Sequence, residues 1–175
     1  MKTKSKMLWQ KALTLALALF FIMPAVIIAQ TSRANFAGTW AFNESKSTLG
    51  NAQGPQGQRM GGGASPTMTV TQNANTLGVT RATMGRDGAS TPATTNYSLD
   101  GKETVTSNQR GDSKSVAVWS SDGKSLTITT TRSFNGMDMK SVEVWSLNDA
   151  QTLSVKTTTT MQGGDRTTTL VYDKR

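Results

Sequence analysis

The sequence predicts an all-β protein, a single up-and-down antiparallel barrel of eight to ten strands preceded by a cleavable signal peptide. After residue 35, apolar residues do not recur with helical spacing, and short alternating segments rich in Thr and Val take their place. Most of these segments end at residue pairs that favour tight hairpin turns. Many short antiparallel strands must also protect their edges, and closure into a barrel is the simplest way to do so.

The first 29 residues are predicted to be the signal peptide. Four lysines open the chain and an 18-residue apolar run follows, from Ala12 to Ala29. We expect cleavage after Ala29 and export to the periplasm or the medium, with no membrane span left in the mature protein. An uncleaved anchor is the alternative, because 18 apolar residues can just span a bilayer. Pro24 and Ala25 near the end of the run favour cleavage.

Residues 30–175 are predicted to form one barrel domain, long enough to bury a core. Loss of the signal lysines lowers the formal net charge from +8 to +4, and the remaining basic residues are scattered, so we expect no nucleic-acid partner. The chain contains no Cys and no His. It therefore lacks the usual zinc, copper and haem ligands and the Ser-His and Cys-His nucleophile pairs. We expect no metal, no cofactor and no catalysis.

Ten strands are predicted, with tight-turn dipeptides between several of them. Asp100-Gly101, Asp122-Gly123, Asn135-Gly136 and Gly163-Gly164 are the clearest of these dipeptides, because their residues tolerate a positive φ. The strands are expected at about 36–43, 66–72, 76–83, 93–99, 102–107, 113–120, 125–133, 138–146, 152–160 and 165–173. The segment 44–65, rich in Gly, Gln and Ser, is expected to be a flexible loop beside one barrel mouth.

The turns and an internal repeat predict the register of the second half. Residues 116–131 resemble residues 142–159, and each unit reads as one hairpin. The face that carries Trp, Leu and Ile is predicted to be the interior one, because side chains alternate along a strand. The predicted cross-strand pairs are Trp119–Leu126, Leu126–Trp145, Ile128–Glu143, Trp145–Leu153, Glu143–Val155 and Val155–Tyr172.

Both ends of the predicted barrel carry a resemblance to a known group. The "GTW" at 38–40, followed by antiparallel hairpins, resembles the calycins, that is, lipocalins and intracellular fatty-acid-binding proteins. The resemblance implies that Trp40 is a structural plug across the closed end and that Gly38 allows close approach. The last strand, "TTLVYDKR" at 168–175, is similar to that of fatty-acid-binding proteins, where an Arg-x-Tyr holds the ligand carboxylate. Tyr172 matches the tyrosine, and Leu170 stands in the arginine position. The chain also resembles small exported bacterial proteins described as lipocalin-like.

Five residues form the candidate ligand-binding set: Trp119, Arg132, Glu143, Trp145 and Tyr172. Glu143 falls on the apolar face, where a carboxylate needs a partner, and Arg132 and Tyr172 are the candidate partners. Either Glu143 or Arg132 would anchor the polar group of a ligand. The alternative is a satisfied ion pair or a barrel-end glutamate in water, with the two tryptophans as ordinary core.

These features predict an exported barrel that binds a small, largely apolar ligand without catalysis. The alternative is a structural or envelope-associated interaction module with a filled core and no small-molecule ligand. Strand count discriminates between them, because an eight-stranded barrel can be packed solid whereas ten strands leave room for a ligand. No feature of the sequence identifies the ligand or a protein partner.

Overall fold

A computed structural model describes residues 32–49, 65–84, 90–108, 111–134, 137–161 and 164–175. This part of the chain is all β, and it contains no helix long and apolar enough to cross a membrane. The strands are β1 (Gly38–Thr48), β2 (Thr67–Gln72), β3 (Thr76–Met84), β4 (Ser90–Ser98), β5 (Glu103–Asn108), β6 (Gly111–Trp119), β7 (Ser125–Phe134), β8 (Met137–Asp149), β9 (Thr152–Met161) and β10 (Gly164–Lys174).

The strands form one antiparallel sheet that is nearly closed into a barrel. Its order is β4-β3-β2-β1-β10-β9-β8-β7-β6-β5, so strands consecutive in the chain pair with each other except β4 and β5, and the first strand pairs with the last. The two ends of this order are β4 and β5, and a hydrogen bond from the Ser98 amide to Thr104 Oγ1, 3.1 Å long, links their adjoining ends. The predicted up-and-down barrel is therefore confirmed, with ten strands.

The first strand is longer than the sequence pattern suggests. It was expected to end near residue 43, but β1 continues to Thr48, so residues 44–48 belong to a strand and not to the predicted loop. The pairing of β1 with β10 is irregular in this stretch. Ser47 Oγ accepts from the Val171 amide at 2.9 Å and donates to the Asn43 carbonyl at 2.6 Å. A side chain thus supplies a bond that the broken ladder lacks, which extends the strand through a polar sequence.

Two of the sequence predictions lie outside the described residues. They are the signal peptide at 1–29 and the rest of the Gly-rich loop, residues 50–64.

The register predicted for β6, β7 and β8 is confirmed. Trp119 lies opposite Leu126, Leu126 opposite Trp145, and Ile128 opposite Glu143. Leu126, Ile128 and Trp145 are buried, so the face that carries them is the interior one.

The register predicted for β9 is wrong on both sides. Trp145 lies opposite Val155 and not Leu153, because the β8–β9 pairing shifts between Leu147 and Asp149. Tyr172 lies opposite Leu153 and not Val155, because Gly164 pairs with Met161, which moves the whole β9–β10 pairing by two residues from the predicted one. Glu143 consequently lies opposite Thr157. Each error is two residues, so every side chain stays on its predicted face.

A short N-terminal segment, residues 32–37, seals one end of the barrel. The Ala34 amide donates to the Gly123 carbonyl at 2.8 Å. The Gln72 side chain accepts from the Phe36 amide and donates to the Ala34 carbonyl, both at 2.9 Å. These bonds hold the Phe36 ring, which is fully buried, against the apolar cluster of the interior.

Trp40 completes this sealed end. Its side chain is fully buried, and its indole Nε1 donates to the Phe36 carbonyl at 2.9 Å. The Lys174 ammonium lies 5.4 Å from its ring centroid. Gly38 has φ +146°, and a Cβ built there would lie 2.9 Å from Lys174 Cε. A glycine at position 38 therefore lets the end of β10 pass close to Trp40.

Candidate functional site

An arginine and a glutamate meet inside the barrel. Arg81 follows Leu77 and Val79 on the inward face of β3, and Glu143 precedes Trp145 on the inward face of β8. Arg81 Nη2 lies 3.4 Å from Glu143 Oε2, which also accepts a 2.9 Å hydrogen bond from Trp145 Nε1. The two strands are not neighbours in the sheet, so the ionic pair Arg81–Glu143 crosses the interior.

Further contacts hold the arginine side of this ionic pair. The Arg81 guanidinium carbon lies 5.7 Å from the Trp145 ring centroid, within the range of a cation–π contact. Arg81 Nε also donates to Met68 Sδ over 3.4 Å. The guanidinium is therefore fixed in direction by three different side chains, one of which is charged.

The ionic pair is not sealed into the core. The Arg81 side chain is 27% exposed and the Glu143 side chain 21% exposed, although both lie on the inward face. Their inward-facing neighbours toward the sealed end, such as Leu77 and Leu126, are fully buried. The ionic pair thus lies where the packed part of the interior ends and accessible space begins.

Two tyrosines share the electrostatic environment of the ionic pair. Burial raises the pKa of Tyr97 to about 12; the charge of Glu143 adds to that rise and the charge of Arg81 opposes it. Burial also raises the pKa of Tyr172, against the opposing charge of Arg81. For Arg81, burial is the largest influence and opposes the charged form, but the charge of Glu143, its hydrogen bond and the two tyrosines together outweigh burial and raise the pKa. The site therefore holds two phenols that are neutral at neutral pH, beside the charged Arg81 guanidinium.

Three of the five predicted site residues belong to this arrangement. Glu143 and Trp145 are hydrogen-bonded to each other. Tyr172 is buried, lies opposite Phe42 on β1, and contacts it edge to face with ring centroids 5.7 Å apart. Its pKa responds to both members of the ionic pair, which places its ring within electrostatic reach of them.

The other two predicted residues lie elsewhere. Arg132 was a candidate partner of Glu143, but its Nε donates to Ser113 Oγ at 3.1 Å, near the tips of the β5–β6 and β7–β8 hairpins. Trp119 lies at the sealed end, where it stacks on Phe36 at 5.8 Å with an interplanar angle of 3°. The expectation that Arg132 pairs with Glu143 is therefore wrong, because the register separates them and Arg81 occupies the acceptor.

Sequence reasoning missed Arg81 and Tyr97. The sequence pattern did indicate Arg81. Residues 77, 79 and 81 lie on the same face of a predicted strand, and the first two are apolar, so Arg81 was expected to face the interior as well. Tyr97 lies opposite Leu77 on β4, so the same alternation continues across that pair. What the pattern could not provide is the contact across the barrel, which depends on how the sheet closes.

The chemistry available to these residues is binding. The site offers a guanidinium, a carboxylate, two phenols and an indole, all suited to hold a polar group beside apolar surface. Within the described ranges, no group of three or more Asp or Glu side chains is arranged to hold a metal ion. Glu143 is engaged by two donors, and no nucleophilic side chain is hydrogen-bonded to it in this part of the chain.

Comparison with known proteins identifies the fold. No protein-family model matches the chain, and no curated protein sequence is similar to it. Among solved structures, the chain is similar to the zebrafish ileal bile acid-binding protein crystallised with cholic acid, with a TM-score of 0.50 and 16% sequence identity. The similarity covers 80% of this chain and 98% of the bile acid-binding protein. The chain therefore has the calycin fold of lipocalins and fatty-acid-binding proteins, as the resemblance of its two end strands implied.

Proposed function

We propose that this barrel binds a small organic molecule in its interior, beside the ionic pair Arg81–Glu143, and releases it unchanged. The body of the ligand would lie against the apolar inward face, and a polar group would contact Arg81, Glu143 or Tyr172. The observation that carries the proposal is a cross-barrel ionic pair whose two side chains remain 27% and 21% exposed.

The ionic pair is better explained by binding than by stability. A buried ion pair contributes little net stability, because the cost of removing both charges from water offsets their attraction. Apolar residues of similar size would stabilise the interior at least as well. Charged groups at the edge of a packed core are instead useful where a ligand must be oriented.

Strand number and the neighbouring fold support the same proposal. Ten strands enclose more space than eight, and a barrel of eight can be filled by its own side chains. The similar zebrafish protein was crystallised with a small molecule, cholic acid. The competing proposal, a structural module with a filled core, is favoured only at the sealed end, where Phe36, Trp40 and Leu77 are fully buried.

A blocking substitution tests this proposal. Thr157 faces the interior opposite Glu143, whereas its neighbour Lys156 faces outward and is exposed. We expect the purified protein to bind the neutral fluorescent probe N-phenyl-1-naphthylamine saturably, one molecule per chain. Thr157→Trp should abolish that binding by filling the space, and the matched variant Lys156→Trp should retain it. Probe fluorescence measures both, with thermal unfolding as the check that each variant is folded.

Two outcomes would contradict the proposal. One is the absence of saturable probe binding by the unmodified protein. The other is equal loss of binding in Thr157→Trp and Lys156→Trp, which would mean that the probe binds the outer surface or a disturbed fold.

We also propose that the barrel acts outside the cytoplasm, after removal of residues 1–29. The support is the basic opening and the 18-residue apolar run of the sequence. N-terminal sequencing of the protein from a bacterial expression host should give Gln30 as the first residue. Recovery of the full-length chain in the membrane fraction would instead favour an uncleaved anchor.

A further inference from the structure

The inward-facing side chains change character along the barrel. Toward the sealed end they are mostly apolar. Beyond Glu143, the inward positions of β6 to β10 carry mainly hydroxyl groups: Ser113, Ser115, Thr130, Ser141, Thr157, Thr159 and Thr168. Ser113, Ser115 and Thr168 are buried. Because hydroxyls can donate and accept, this hydroxyl-lined half of the interior suits a polar ligand group better than a hydrocarbon chain.

Arg166 lies in this half and has an unsatisfied donor. It shares the inward face of β10 with Thr168 and Tyr172, and it pairs across the ladder with Thr159. Its Nη2 atom is buried and has no hydrogen-bond partner among the residues that the structure describes. A buried guanidinium nitrogen without an acceptor is costly, and an acceptor on a bound ligand would remove that cost.

The charges on the inward face do not balance. The inward face carries three arginines: Arg81, Arg132 and Arg166. In the described strands, the ion pair formed by one of them is that of Arg81 with Glu143. Arg81 is neutralised by Glu143 at 3.4 Å, but no ion pair of Arg166 is found in the described part of the chain. Of the segments outside the described ranges that follow β1, residues 50–64 contain no Asp or Glu and residues 85–89 contain one, Asp87.

Arg132 differs from Arg166 in its surroundings. It lines a hollow of about 430 Å³ at the hairpin tips, together with Lys114 and Lys140 but also with Asp112 and Asp138. Carboxylates are therefore available near Arg132, and its Nε already has Ser113 as an acceptor. Among the residues that the structure describes, Arg166 is the inward cation without a carboxylate partner.

We infer that the ligand is an organic anion, whose charged group accepts hydrogen bonds from Arg166 within the hydroxyl-lined half of the interior. This inference rests on the proposed function and names the ligand class of the same interior. It locates the anion away from the position implied by the resemblance to fatty-acid-binding proteins, where this chain has Leu170. Arg166 lies four residues earlier on the same face of β10, beyond the ionic pair and not next to Tyr172.

Two probes that share one ring system test the inference. The anion 8-anilinonaphthalene-1-sulfonate carries a sulfonate that N-phenyl-1-naphthylamine lacks. We expect Arg166→Gln to weaken binding of the anionic probe about tenfold or more, because a charge-assisted hydrogen bond is lost. Binding of the neutral probe should change less than about twofold, the effect expected when no bond to the probe is lost. Arg166→Lys should retain most of the affinity for the anion, and the outward-facing control Lys156→Gln should change neither.

The outcomes separate this inference from the proposed function. Equal effects of Arg166→Gln on both probes, or an equal loss in Lys156→Gln, overturn the anion site while leaving interior binding intact. Failure of both probes to bind the unmodified protein overturns both. If Arg166→Gln does not fold, the salt dependence of the unmodified protein decides. Affinity for the anionic probe should fall as the salt concentration is raised from about 0.05 to about 0.5 M, because salt screens the charge of Arg166. Affinity for the neutral probe should not fall over the same range.

Discussion

Glu143 is a carboxylate at the edge of the apolar part of the inward face, next to Trp145, and its two contacts explain how it is tolerated there. Trp145 donates a neutral hydrogen bond at 2.9 Å, and Arg81 supplies an opposite charge at 3.4 Å. Each side chain is more than a fifth exposed, so water screens part of their attraction. Removal of one member of the ionic pair should therefore lower the free energy of unfolding by more than the small net contribution of the intact pair.

A double-mutant cycle at this ionic pair should show that asymmetry. Glu143→Leu alone leaves the Arg81 guanidinium without its carboxylate, and we expect the free energy of unfolding to fall by about 1 to 2 kcal/mol after allowance for exposure. The double variant Arg81→Met, Glu143→Leu should recover most of this loss, because no charge remains to be desolvated. Urea denaturation of Glu143→Leu, of Arg81→Met and of the double variant measures the cycle. Losses that simply add would mean that the two residues do not interact in solution.

The two tyrosines should titrate abnormally. Both lie in this interior, burial raises both pKa values, and the chain contains no others. A group whose folded pKa is raised contributes stability that is complete below its unfolded pKa, near 10 for tyrosine, and is lost as the pH rises through the folded value. For Tyr97 that value is about 12.

We therefore expect the stability of the fold to decline above about pH 10, as the tyrosines of the unfolded chain begin to ionise. Ultraviolet absorption of phenolate should show little ionisation of the folded protein at that pH. Tyr97→Phe should reduce the decline in stability. One full equivalent of phenolate formed near pH 10 in the folded protein would be inconsistent with a buried pair of phenols.

At the scale of the strands, alternation and turn chemistry predicted most of the fold. The ten strands, and the pairings of Leu126 with Trp119 and with Trp145, follow from hairpins whose turns are short and well marked. The pairing of Trp145 with Val155 could not be predicted in the same way. It depends on a register shift between Leu147 and Asp149. The sequence pattern does not reveal this shift, because inward and outward residues still alternate.

The candidate site was only half predictable for a different reason. Glu143 and Trp145 sit on one strand, so their shared face follows from spacing alone. Arg81 lies on β3, far from β8 in the sheet, and it reaches Glu143 only because the sheet curls until the two inward faces oppose each other. No local pattern specifies a contact across a barrel, and the choice of Arg132 as partner failed on this point.

The N-terminal segment should contribute strongly to stability although it is not a strand. Phe36 is fully buried between Trp119 and Trp145, with ring centroids 5.8 Å from each. We expect Phe36→Ala to lower the free energy of unfolding by about 3 kcal/mol, the usual cost of removing a buried aromatic ring. The neighbouring control Arg33→Ala should lower it by less than about 0.5 kcal/mol, as for most surface substitutions.

Chemical denaturation of both variants measures this difference. A Phe36→Ala variant as stable as the unmodified protein would show that the segment does not seal the barrel in solution.

On the scale of the whole molecule, the barrel divides into the packed, sealed end and the hydroxyl-lined half. The packed end is closed by Phe36 and Trp40 and supplies most of the apolar burial. The ionic pair Arg81–Glu143 marks the boundary, and hydroxyl groups line the interior beyond it. Under the proposed function, one end provides stability while the other provides the binding surface, so the two roles do not compete for the same residues.

The indole N–H resonances of the protein, followed by ¹⁵N NMR during titration with N-phenyl-1-naphthylamine, test the central claim most directly. Trp145 donates its N–H to Glu143 at the edge of the hydroxyl-lined half, whereas Trp40 and Trp119 belong to the sealed end. Interior binding predicts a saturable shift of the Trp145 indole signal with little change at Trp40 and Trp119. A signal of Trp145 that stays constant while the probe binds, or a shift confined to Trp119, would contradict a ligand site at the ionic pair.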